Sequence, residues 1–242
     1  MTWSEHLYDL YASMKPPKQL PNGVQWLYPQ KDPAVMEVLK RFLDKYFNDA
    51  APRRLLFGIN PGRFGAGITG VNFTAARQLT ECCEIEHTFP RGSELSAEFV
   101  YEFINAYGGP EAFYQHFFIA SICPLGFVKN GKNINYYDDK ELLQTVEPFI
   151  IRNIKKLLSF PTDRSACGCI GEDKNYKYLC TLNERYGWFD RIVPLPHPRF
   201  IMQYKRKTKE LYVGRYLEFL TSPREEFQGL KVPQFKSSRT NS

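Results

Sequence analysis

RRLLFGINPGRFGAGITGVNF (Arg53–Phe73) is the stretch whose reading decides the fold. Leu55, Leu56 and Phe57 form a short apolar run bounded by turn residues, which predicts a buried strand. Gly58 to Gly62 then demands a sharp turn, and a loop follows that carries Gly58, Gly62, Gly65, Gly67 and Gly70. Glycine at this density lets backbone approach a ligand closely and present its N–H groups. Asn60 stands where the strand ends. In an open α/β sheet, ligands bind in the crevice outside the carboxyl ends of the strands.

Working outward, apolar residues fall at helical spacing over 3–14 and over 33–46, where Asp32 is an N-cap candidate and Pro33 takes the first helical position. The stretch between them, with Pro21, Asn22 and Gly23, reads as a connector. After the motif loop a helix is expected from Phe73–Thr74 to Cys82, an irregular insertion over His87–Ser93, and a helix over 96–107 that stops at Gly108-Gly109-Pro110. A second strand, Phe117–Ile122, ends at Ser121-Ile122-Cys123-Pro124, and a loop is expected over Phe127–Tyr137. Asp138 and Glu141 suggest a capping box for a helix over 139–158, in which Pro148 should introduce a kink. Two further strands, 165–170 and 190–193, flank a helix over 174–186, and a last helix covers 208–221. Strands alternating with helices imply a three-layer α/β/α sandwich around a mostly parallel sheet. The expected organisation is a single domain over 1–242, with 223–242 a loose tail.

Parallel strands end on one edge, so Asn60, Ser121 and His197, each at a strand end, should converge. The net charge of +6 is compatible with a polyanionic partner, and Lys205, Arg206, Lys207, Lys209 and Arg215 cluster beyond His197, with only Glu210 opposing them. The six cysteines contain no C-x-x-C pair, which argues against zinc and iron–sulfur sites. Buried free thiols and a reducing cytoplasm fit that pattern. The first fifteen residues have no signal-peptide pattern, and the longest uncharged apolar run, Phe117–Val128, is too short to span a bilayer. A dinucleotide-binding loop is disfavoured, because G-x-G-x-x-G is not in its expected frame.

Gly58-Ile59-Asn60-Pro61-Gly62, Phe64-Gly65, Thr69-Gly70-Val71 and Phe73 together resemble the first motif of the uracil-DNA glycosylase superfamily, with its spacing ungapped. The match is nearest to the single-strand-selective monofunctional (SMUG-type) family. Pro196-His197-Pro198-Arg199 is similar to the second motif, H-P-S-P followed by arginine, in a loop two residues shorter. Ser121 stands before Ile122-Cys123-Pro124-Leu125 where the commoner SMUG-type pattern has asparagine, a feature of the family's divergent bacterial branch.

The resemblance implies a monofunctional glycosylase that removes uracil and xanthine from single- or double-stranded DNA in base excision repair. It implies no cofactor or metal, a monomer, and a bacterial cytoplasmic, nucleoid-associated activity. Asn60 and His197 would be catalytic, the first holding the attacking water and the second stabilising the leaving base. Ile59, Gly62, Phe73 and Ser121 would bind the base. Gly62 stands where some branches carry a bulky tyrosine, so its pocket should be roomier. Arg199, Phe200, Lys205, Arg206 and Lys207 would contact DNA. The alternative is a weakly catalytic or non-catalytic module that binds a nucleotide or single-stranded nucleic acid through the same glycine loop; asparagine rather than aspartate at position 60 keeps that alternative open.

Overall fold

The structure, a computed structural model, describes residues 1–92 and 94–223, so 224–242 of the expected tail lie outside the described residues. Four strands, β2 (Arg53–Gly58), β3 (Phe117–Ser121), β6 (Thr162–Ile170) and β7 (Ile192–Leu195), form a parallel sheet in the order β3-β2-β6-β7. Every residue of β2 and β3 is buried, which explains the apolar runs Leu55–Phe57 and Phe117–Ala120, since a parallel sheet is covered on both faces. Leu55 and Phe57 of β2 lie opposite Phe118 and Ala120 of β3. Phe57, Phe118 and Ala120 share one face with Leu7 and Leu10 of α1 (Trp3–Ala12) and Ile154 and Leu157 of α7 (Lys140–Leu157). Leu56 and Gly168 point the other way, against Phe219 of α10 (Lys209–Thr221). Helices therefore cover both faces, as the expected three-layer sandwich requires. Helix α2 (Pro33–Tyr46) starts as read: Asp32 accepts from the Ala34 N–H at 2.9 Å and Pro33 is the first helical residue.

The structure departs from the sequence reading in several places. A second sheet, β1 (Val24–Leu27), β4 (Gly126–Lys129) and β5 (Lys132–Ile134), replaces the expected connector and loop. Its strands are antiparallel, and β4 and β5 turn at Asn130-Gly131, where both φ angles are positive (51° and 70°). The helix expected from Phe73 begins only at Ala76 (α4, Ala76–Glu81). Phe73 itself sits at φ 52°, a left-handed conformation uncommon for a bulky side chain. Asp139, not Asp138, caps α7 by accepting from Glu141 and Leu142, and α7 continues through Pro148. Strand β7 lies two residues beyond the expected 190–193. Three short α-helices among the described residues were not anticipated: α3 (Ala66–Thr69) inside the motif loop, α6 (Pro110–His116), and α9 (Pro198–Tyr204), which starts where a loop was expected; the helices expected over 96–107 and 174–186 are α5 (Leu95–Tyr107) and α8 (Lys174–Tyr186). No helix among the described residues is long and apolar enough to cross a membrane.

Candidate active site

The ends of β2 and β3 are stitched together beyond the sheet. Ile122 N–H donates to Gly58 O at 2.9 Å and Cys123 N–H to Ile59 O at 3.1 Å. This draws the chain after Ser121 alongside the chain that carries Asn60. β7 ends on the same edge and leads through Pro196 to His197. The three strand ends open into one cleft of about 740 Å³, within the range of ligand pockets. Its wall includes Ile59, Asn60, Gly62, Phe73, Ser121, His197, Arg199 and Phe200, which are eight of the eleven residues singled out from the sequence. Lys205, Arg206 and Lys207 are exposed just past α9 and do not line it.

His197 has a defined chemistry. It is the N-cap of α9, and its Nδ1 accepts from the Arg199 N–H at 3.2 Å. An accepting Nδ1 leaves the proton on Nε2, so the free ring nitrogen is a donor. Burial, together with the neighbouring Arg199 charge, lowers its pKa to about 4. The imidazole is therefore neutral at pH 7 and still able to donate.

Asn60 is held from a distance in sequence. Its Oδ1 accepts from the Tyr136 N–H at 3.1 Å, and its Nδ2 donates to Ile134 O at 3.3 Å. An amide oxygen has two lone pairs. One is committed to Tyr136, and the other can accept from a water hydrogen. Tyr136 is itself fixed, fully buried with its hydroxyl donating to Asn175 Oδ1 at 2.8 Å.

Phe73 lies over Gly58: a Cβ built on that glycine would fall 2.5 Å from the ring. The ring's other neighbours include His197, at 6.2 Å between centroids. Gly62 is not required by packing, since a Cβ there would meet Asn133 Nδ2 at an ordinary 3.4 Å and its φ is not left-handed. The lining includes exposed aromatics: Phe64 (55% exposed), and Phe200 (44%) with Tyr204 (72%), whose ring centroids are 5.6 Å apart.

Sequence reasoning missed Asn72, which lines the cleft and accepts from the Ser121 hydroxyl at 2.8 Å. It also missed Asn175 and the second sheet that grips Asn60. The Asn130-Gly131 pair, the strongest short hairpin signal, was the available clue to that sheet. The basic cluster is smaller than it read. Lys209 pairs with Glu102 at 2.6 Å and Arg215 with Glu172 at 2.9 Å, while Lys205, Arg206 and Lys207 are in no ion pair among the described residues.

Residues 45–221 match the family model of the uracil DNA glycosylase superfamily. The chain belongs to that superfamily. Among its relatives, the chain is 27% identical over 163 residues to the single-strand selective monofunctional uracil-DNA glycosylase of Rattus norvegicus. That match spans 57% of this chain and 58% of the rat protein's length. The fold superposes with a TM-score of 0.88 on the crystal structure of wild-type Pedobacter heparinus SMUG2, at 42% identity, covering 91% of this chain and 97% of that one. Both relatives are of the SMUG type that the first motif resembles. Within this superfamily member, no group of three His, Cys, Asp or Glu side chains among the described residues is placed to hold a metal ion.

Proposed function

We propose that the protein is a monofunctional DNA glycosylase that hydrolyses the N-glycosidic bond of uracil, and also of xanthine, to leave an abasic site. The observation that carries this reading is the pairing, across one cleft, of a neutral histidine whose Nε2 must donate with an asparagine oxygen that has one lone pair to spare. As the glycosidic bond lengthens, positive charge grows on the sugar and negative charge on the base. The Nε2–H of His197 stabilises the base's developing oxyanion, and one such preorganised donor is worth ~10²–10³ in rate. Asn60 Oδ1 orients the water that attacks C1′. An amide is no base, so the water's proton passes to solvent after the carbon–oxygen bond has formed, the expelled base anion takes one up from solvent, and the barrier is lowered mainly on the leaving-group side.

Phe73 stacks on the extruded base, a contact worth ~1–3 kcal/mol and comparable to the few kcal/mol of extrusion. Arg199, Phe200 and the exposed Lys205, Arg206 and Lys207 contact the DNA backbone and flanking bases. Gly62 leaves room in the cleft for a purine.

The test is an oligonucleotide with one uracil or one xanthine, incubated with the protein and then cleaved with alkali. Expected are alkali-dependent strand breaks with wild type, and a loss of ~10²-fold or more in His197→Ala. Alkali-dependent breaks absent from wild type would leave a nucleic-acid-binding module. Breaks appearing without alkali would point to Lys174, the lysine of the cleft wall, as a Schiff-base nucleophile.

A further inference from the structure

Ser121 and Asn72 meet at the floor of the cleft, and their hydrogen-bond directions are fixed by their neighbours. One end of the Asn72 amide is 3.2 Å from Ile119 O. A backbone carbonyl can only accept, so that end is Nδ2, which also reaches the Tyr11 hydroxyl at 3.4 Å. The other end is therefore Oδ1, and it faces Ser121 Oγ at 2.8 Å. An amide oxygen also only accepts, so Ser121 must donate. A serine hydroxyl has one proton, and here it is committed to Asn72. Ser121 is 9% exposed, and it lines the cleft.

We infer that Asn72 sets the polarity of the base-reading edge: by taking the Ser121 proton, it leaves Ser121 offering the extruded base lone pairs alone, so the cleft selects bases that present a ring N–H. This rests on the glycosylase reading above. Deamination has a matching chemical signature. Replacing the amino group of cytosine or adenine by a carbonyl turns the adjacent ring nitrogen from an acceptor into an N–H donor. Uracil N3–H and hypoxanthine N1–H, the two products, can donate to Ser121, as can the N1–H that xanthine keeps from guanine, whereas cytosine N3 and adenine N1 would set lone pair against lone pair. A buried acceptor left unmatched in this way costs about tenfold to a hundredfold. Guanine also carries N1–H, so this contact does not exclude it. Asn72 is a positioning residue, because it acts through Ser121.

The experiment is a double-mutant cycle of Asn72→Leu and Ser121→Ala, read by single-turnover excision from oligonucleotides carrying uracil or cytosine, whose N3 is an acceptor to which a freed hydroxyl can donate. Wild type should prefer uracil strongly. Asn72→Leu frees the hydroxyl to rotate, and the uracil preference should fall about tenfold, towards that of Ser121→Ala. In the Ser121→Ala background, Asn72→Leu should change the preference less than twofold. Equal effects of Asn72→Leu in both backgrounds, or an unchanged preference in an active single variant, would overturn the inference. Melting temperatures check each fold, and Asn72→Ala stands in if the leucine variant does not fold. A wild type that removes no uracil would refute the glycosylase reading, and this inference with it.

Discussion

Gly58→Ala puts a methyl group where the structure has none to spare. A Cβ at position 58 would lie 2.5 Å from Phe73 Cε2 and 2.8 Å from Cζ. Nonbonded carbons rest at about 3.5–4.0 Å, so the ring must retreat by about 1 Å. β2 blocks it on one side and the cleft is open on the other, so it moves into the space reserved for the base. Had the ring been locked in the core, overpacking would cost ~1–3 kcal/mol of stability. Here the ring edge yields, and replacing glycine where φ is not left-handed stabilises by ~0.4–1 kcal/mol through the unfolded chain. The loss should therefore fall on function. Disturbing a stacking contact worth ~1–3 kcal/mol lowers kcat/KM about tenfold or more. Single-turnover excision alongside a thermal melt measures both, with Phe73→Leu as the reference for a lost stack. A Gly58→Ala protein that excises uracil at the wild-type rate would refute the assignment of Phe73 to the base.

The remaining predictions concern charge and shape. With the His197 pKa lowered to about 4, excision should show no histidine step between pH 8 and 5.5 and should decline as pH approaches 4; a step near 6.5 that belongs to His197 would show a charged donor instead. The sign for stability follows from the same shift: the unfolded chain takes the proton first, near 6.5, so His197 has no effect above that pH and destabilises the fold as pH falls towards 4, which melts of wild type against His197→Gln will reveal. Alanine at Lys205, Arg206 and Lys207 together should reduce the slope of log K against log salt by up to about 2–3 without altering base preference, and an unchanged slope would place the cluster away from DNA. Ser121→Asn adds bulk at a side chain already 2.8 Å from Asn72, so it should narrow the cleft and shift the uracil-to-xanthine excision ratio towards uracil, as rates on matched oligonucleotides would show.

Much of this was legible in the chain because parallel strands impose a simple rule. The apolar runs at 55–57 and 117–120, each bounded by turn residues, read as strands covered on both faces, and parallel strands of one sheet end at one edge. The sequence alone therefore places Asn60, Ser121 and His197 together. What was not legible depended on partners far away in sequence. Val24–Leu27 is a four-residue strand with no strong alternation, and it exists because β4 pairs with it. Phe73 looked like the first residue of a helix because Ala75, Ala76 and Leu79 follow it; its left-handed backbone lies inside a loop across which the Thr69 hydroxyl donates to Thr74 O at 2.6 Å. Asn72 carried no signal of its own, since an asparagine before an aromatic residue is ordinary until Ser121 is seen against it.

The grip of the second sheet on Asn60 has a consequence for how this site comes into being. The residue that would hold the water is translated within the first motif, but the groups that orient it, Ile134 O and the Tyr136 N–H, lie 74 and 76 positions further along. Closing so long a loop is a late and entropically expensive event for a chain. A graft of the motif into another scaffold would carry the asparagine without its bearing. For the same reason, catalytic competence should emerge during refolding after the α1–α2 layer has formed, when the β4–β5 hairpin docks. Turnover then becomes a clock for the long-range closures that complete the site, the arrival of His197 among them, read by adding substrate at timed intervals after dilution from denaturant.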